Sequence, residues 1–221
     1  NFSNSLLVGT SSTGTLSSAD GNTGVGIGVF GALTSGDNNV AVGLNALDVN
    51  TTGSENVAVG MGALDTNTTG AGNISIGCGS MSANVSGNYN VAIGRCALDT
   101  SVSGSANVAI GDRALYTNTA SYNTSVGFFS LAANTTGETN VAVGQNSLAA
   151  NTTGARNTGI GQNALLVSTT GANNTAVGQG ALEANTTASD NSAFGHDSLV
   201  ANTTGVQNSA YGYRSLAANT T

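Results

Sequence analysis

The stretch Asn39-Val40-Ala41-Val42-Gly43 decides the architecture, because it returns intact at 56–60 and 140–144 and with Ile before the glycine at 90–94 and 107–111. Its alternation puts Val40 and Val42 on one strand face and Ala41 and Gly43 on the other. Working outward, the glycine recurs as Gly9, Gly26, Gly43, Gly60, Gly77, Gly94, Gly111, Gly127, Gly144, Gly161, Gly178, Gly195 and Gly212. Every step is 17 residues except the 16 from Gly111 to Gly127. The full unit reads Asn, a variable residue, a small one, Val or Ile, Gly, two variable residues, Ala or Ser, Leu, and often Asn-Thr-Thr-Gly. A unit this short cannot hold a helical hairpin and suits one coil of a β-solenoid, with two short strands joined by glycine-bearing turns. The chain therefore reads as all-β, a parallel β-solenoid (β-roll) of about 13 coils. Stacked at ~4.8 Å, these coils predict a rod of roughly 60 Å.

Position by position, the unit assigns roles. Val or Ile before the glycine, as at Val42 and Val59, and Leu four after it, as at Leu47, Leu64 and Leu148, read as core ladders. The opposite strand face is small and uncharged (Ala41, Ala58, Ala92, Ala109, Ala142), and a strand apolar on both faces is usually buried on both. That face is expected to pack against a neighbouring chain. The repeated Asn39, Asn56, Asn73, Asn90, Asn107 and Asn140 read as an amide ladder running from coil to coil. The shortened step falls in the turn before Asn123 and reads as a shorter loop.

Composition bounds the function. Only 7% of residues are charged, for a formal net charge of -7. The four basic residues are Arg95, Arg113, Arg156 and Arg214, too few and too scattered to neutralise phosphates, so nucleic acid is not an expected partner. No apolar run approaches the roughly 20 residues that span a bilayer. The repeat runs to both ends without a polar cap, so residues 1–221 read as one array within a longer fibre, or one whose ends stack on something.

Catalysis finds no support, and no cofactor or metal is expected. His196 is the one histidine, so a His-based metal cluster or catalytic triad has little to draw on. Asp48 and Asp65 recur in register and fit a calcium ion between coils, though acidic surface is the plainer reading. Cys78 and Cys96 lie on adjacent coils with Cα atoms expected ~6 Å apart, so a disulfide and two separate thiols both stay open. Asn50, Asn67, Asn134, Asn151, Asn185 and Asn202 each begin Asn-Thr-Thr and fit the N-glycosylation acceptor pattern, which stacked threonine ladders explain equally well.

The recurring Asn-Val-Ala-Val-Gly and Asn-Val-Ala-Ile-Gly, followed by two variable residues and Ala or Ser, resembles the head repeat of YadA-type trimeric autotransporter adhesins. It is also similar to repeats of phage and viral tail fibres. The resemblance implies a homotrimer of left-handed β-rolls on an extracellular surface, with an adhesive role toward a host or surface receptor. The adhesin repeat is typically shorter than this one, which adds an Asn-Thr-Thr-Gly turn. The leading expectation is thus an extracellular fibre or adhesin rod that attaches to surfaces or forms a filament shaft, and a viral tail-fibre segment is an alternative. A different class of reading is an ice-binding or surface-adsorbing solenoid, from the array of Thr51, Thr68, Thr135, Thr152, Thr186 and Thr203. A glycan-modifying enzyme is disfavoured, since an even repeat supplies no irregular pocket for a pair of carboxylates.

Overall fold

The computed structural model describes residues 5–9 and 18–221. The chain is an all-β parallel solenoid with no helix among the described residues, built from thirteen strands of three residues each. It divides into two compact units, Asn1–Ala109 and Ile110–Thr221. In the first, β1 (Leu6–Val8), β2 (Thr23–Val25), β3 (Val40–Val42), β4 (Val57–Val59), β5 (Ile74–Ile76) and β6 (Val91–Ile93) pair in chain order. The strand β7 (Val108–Ile110) spans the boundary. In the second, β8 (Thr124–Val126), β9 (Val141–Val143), β10 (Thr158–Ile160), β11 (Thr175–Val177), β12 (Ser192–Phe194) and β13 (Ser209–Tyr211) do the same. The register follows the repeat, so like stacks on like: Val40 on Val57, Ala41 on Ala58, Val42 on Val59.

One coil shows why the sequence closes on itself. After β4, Ala63 N–H donates to the Gly60 carbonyl at 3.4 Å, a turn whose third residue, Gly62, has φ 65°. Asn67 N–H then donates to the Leu64 carbonyl at 3.2 Å, closing a second turn that opens on Leu64 at φ 51°. These left-handed residues bend the chain so sharply that only one strand per coil survives, where the sequence pattern predicts two. Left-handed backbone costs a leucine of order 1–2 kcal/mol, and full burial of its side chain offsets that. Leu47, Leu64, Leu98, Leu115, Leu131, Leu148, Leu165, Leu182 and Leu199 are completely buried, with Met81 and Phe30 in the same register.

The interior is thin and half polar. From β2 onward the middle residue of each strand faces the residue five further on. Gly24 sits beside the bulky Val29, Ser75 hydrogen-bonds Ser80, Ser125 hydrogen-bonds Ser130, and the remaining pairs from β3 onward are small. A Cβ added to Gly24 would lie 2.7 Å from Val29 Cγ1. This corrects the sequence reading of the strand faces. Ala41, Ala58, Ala92, Ala109 and Ala142 are fully buried inside the coil, while Val42 is 37% exposed and Val59 only half-buried. The valines are not core, because a gap spanned by two facing small residues has no room for a branched side chain.

Two asparagine columns fill the rest. In the first, Asn39, Asn56, Asn73, Asn90 and Asn107 in one unit, and Asn123, Asn140, Asn157, Asn174 and Asn191 in the other, are fully buried. From Asn39 to Asn90 and from Asn123 to Asn191 each carboxamide oxygen accepts from the next rung, as where Asn56 N–H and Nδ2 reach Asn39 Oδ1 at 3.0 and 3.1 Å. The second column runs through the Asn-Thr-Thr segments and is linked in the same way, Asn67 Nδ2 donating to Asn50 Oδ1 at 2.9 Å.

Candidate oligomerisation surface

In each unit the outward residues of the strands form an uncharged surface. None of the thirteen strands carries an Asp, Glu, Lys or Arg. In the first unit Val25, Val42, Ile74, Ile76 and Ile93 are 36–40% exposed. Beside them runs the register just after the glycine, where Ile27 is 65%, Leu44 46% and Met61 54% exposed, with exposed Cys78 next. Glycine at φ near 135° holds this register beside the strand edge. Large exposed apolar area of this kind on a soluble protein marks an interaction surface.

In the second unit the strand face stays aliphatic as far as Val177, with Val143 36% and Ile160 40% exposed, and it is the register just after the glycine that changes chemistry. Phe128 is 49% exposed, and Gln145, Gln162 and Gln179 follow in its column. Further along, Phe194 and Tyr211 stack with ring centroids 5.0 Å apart, and His196 lies 5.5 Å from Tyr213. Arg113 lies over the Phe129 ring at 5.3 Å. His196 Nδ1 sits 3.2 Å from Asp197 Oδ2 in an exposed setting. No concave pocket opens among the described residues, and no helix among them is long and apolar enough to cross a membrane.

Several sequence expectations are placed differently. Cys78 and Cys96 are not joined by a disulfide. They occupy different registers, and the Cys96 thiol lies over Gly79, 3.7 Å from where a Cβ there would be, rather than over Cys78. The amide nitrogens of Asn50, Asn67, Asn134, Asn151, Asn185 and Asn202 are buried and donate to carbonyls of their own turns at 2.9–3.1 Å. A glycan on any of them would require the folded column to open, so these are structural amides and not glycan acceptors in the folded chain. The threonine array is not a field of free hydroxyls either: Thr51, Thr68, Thr135, Thr152, Thr186 and Thr203 are half-buried or at the rim, each hydroxyl donating to a carbonyl one coil on.

Asp48 and Asp65 do stack, and their neighbourhood is repulsive. Burial, and then the Asp48 charge, hold the Asp65 carboxyl above its usual range. Among the described residues no three His, Cys, Asp or Glu side chains gather as a metal site would require. A carboxyl raised in the folded state stabilises the fold only while protonated, so its contribution is full below the ordinary carboxylate range and is lost as pH rises through the raised value. Asp65→Asn is therefore expected to be more stable than the parent at pH 7 and no better at pH 3. The gain is less than about 1 kcal/mol because the group is partly solvated. Urea unfolding at the two pH values checks it; a variant equally or less stable at pH 7 removes the repulsion.

One further sequence signal is visible only with the turns in hand. The second position after the glycine, which reads as variable, is Gly28, Asn45, Gly62, Gly79, Asn146, Asn163, Gly180 and Asp197 in most coils. These are residue types that tolerate positive φ, and all have it.

The strands, turns and ladders together define a β-solenoid repeat protein. No family model, curated protein or solved structure matches the chain.

Proposed function

We propose that the chain is a structural segment of an extracellular fibre that self-associates, three copies meeting along the apolar outer face of their strands. The observation that carries this reading is the aliphatic surface of the first unit, uncharged along its strands and, in the register just after the glycine, as far as Arg95. Side chains exposed to water on a single copy would ordinarily include charges, and here the strands have none. Five successive coils would each bury about 160 Å² of this surface to reach the roughly 800 Å² that one partner contributes to a stable interface. The seam is thus the Val and Ile face, not the alanine face. The near absence of charge and the likeness of the Asn-Val-Ala-Val-Gly unit to adhesin and tail-fibre repeats support an exposed, structural and non-enzymatic role. The registers that vary from coil to coil, including the Gln and aromatic column of the second unit, are then the places for contact with a receptor.

Light scattering during size exclusion tests the reading. The parent is expected at the mass of three chains, and the pair Val42→Glu and Ile76→Glu at that of one, with the circular dichroism of the solenoid retained because both side chains point outward. A monomeric parent overturns the proposal, and so does an unchanged assembly in the double variant.

A further inference from the structure

The second asparagine column is broken at two rungs, where Ser101 and Ser168 stand in place of asparagine. Both serines are fully buried, and the Oγ of each has no hydrogen-bond partner in the protein. The break at Ser168 leaves a second mark. Asn151, the rung before it, is also fully buried, and its Oδ1 has no partner. At intact rungs that oxygen accepts from the next amide: Asn134 Oδ1 accepts from Asn151 Nδ2 at 2.7 Å and Asn185 Oδ1 from Asn202 Nδ2 at 3.2 Å. Asn185, the rung after the break, donates to the Ala188 carbonyl at 3.1 Å, which leaves its other N–H directed along the column.

The coils keep their spacing through the break, since Thr152 N–H still reaches the Thr169 carbonyl at 2.9 Å and Thr169 N–H the Thr186 carbonyl at 2.7 Å. Serine lacks the terminal amide of asparagine, so this rung has the room that an amide would fill, lined by polar atoms. Room for one molecule plus two to four hydrogen-bonding groups is what a structural water requires. We propose that the Ser168 rung is a buried water site, the water donating to Asn151 Oδ1, exchanging a hydrogen bond with Ser168 Oγ and accepting from Asn185 Nδ2. At Ser101 only the Oγ is orphaned, because Asn84 Oδ1 accepts from Gly87 N–H at 3.1 Å, and no second site is placed there. The water replaces the missing amide and lets the column tolerate serine, since a dry orphan oxygen of this kind would be costly.

The test is the sign of two substitutions together with direct observation. In a crystal structure of the full chain, solvent density is expected at the rung, bonded to Asn151 Oδ1 and Ser168 Oγ. Ser168→Asn is expected to expel the water and restore the amide link, raising the folding equilibrium constant about tenfold. Ser168→Ala takes away one of the water's partners and is expected to lower that constant several-fold. A dry site predicts the reverse for alanine, because removing an orphan hydroxyl then helps. An empty rung, or an alanine variant more stable than the parent, overturns the proposal even where Ser168→Asn fails to fold.

Discussion

Gly60→Ala is expected to lose about 3–5 kcal/mol of unfolding free energy, whereas Gly62→Ala, two residues away, is expected to lose only about 1. Both glycines have positive φ, 138° and 65°. What separates them is the neighbouring coil. A Cβ on Gly60 would lie 2.5 Å from the Gly77 carbonyl oxygen and 2.7 Å from its carbon, and both are backbone atoms that cannot swing aside. A Cβ on Gly62 meets nothing within 4 Å. Gly62→Ala therefore costs only the left-handed conformation, and Gly62→Asn is expected to be close to neutral, since Asn45 and Asn146 occupy that register with φ 55° and 56°. In a stacked repeat the damage at Gly60 also spreads to both neighbours, because each coil is held by the next. Guanidinium unfolding of the three variants, with amide exchange at 57–77, measures the difference. Equal losses at Gly60 and Gly62 would mean that the coils do not approach this closely.

That contrast explains how much could be read from the sequence. The repeat length, the parallel stacking and the buried Leu47, Leu64 and Leu148 follow from periodicity, since in-register coils oblige equivalent residues to share an environment. Which strand face points inward does not follow. The Val-Ala-Val alternation has two solutions, and hydrophobicity alone favours the wrong one. The narrow gap that favours Ala41 over Val42 inside is set by Leu64-type left-handed turns, and hydrophobic periodicity carries no information about φ. The signal that could have decided it was the pairing of strand centre with the residue five on, Gly24 with Val29 and Ser75 with Ser80. Similarly, Asn-Thr-Thr matches a glycosylation pattern letter for letter, and only the coil's closure shows Asn67 Nδ2 turned inward. The proposed seam was hidden for the same reason: the apolar outer ladder looks like a core until the core is found elsewhere.

Asn56→Ala is expected to destabilise by about 3–5 kcal/mol, as much as deleting a large core side chain, although it removes only a short polar one. Asn56 Nδ2 donates to the Gly70 carbonyl at 2.9 Å and to Asn39 Oδ1 at 3.1 Å, while its Oδ1 accepts from Asn73 N–H at 3.0 Å and Asn73 Nδ2 at 3.1 Å. Truncation strands the Asn73 N–H where no solvent reaches and leaves the Gly70 oxygen with Asn67 Nδ2 alone, and an unmet buried group costs more than the bond was worth. Asn56→Asp separates the donor role from the acceptor role. The carboxylate still accepts from Asn73 but cannot donate to Gly70, and its charge is buried, which raises its pKa in the folded state. Stability of that variant should therefore be greatest at acid pH, where protonation restores one donor, and fall as pH rises through the raised value. Asn56→Ala has nothing to titrate and should show no such added slope. Urea midpoints from pH 3 to 8 distinguish the two. A loss under about 1 kcal/mol for the alanine variant would show that the amide column decorates the solenoid and does not hold its coils together.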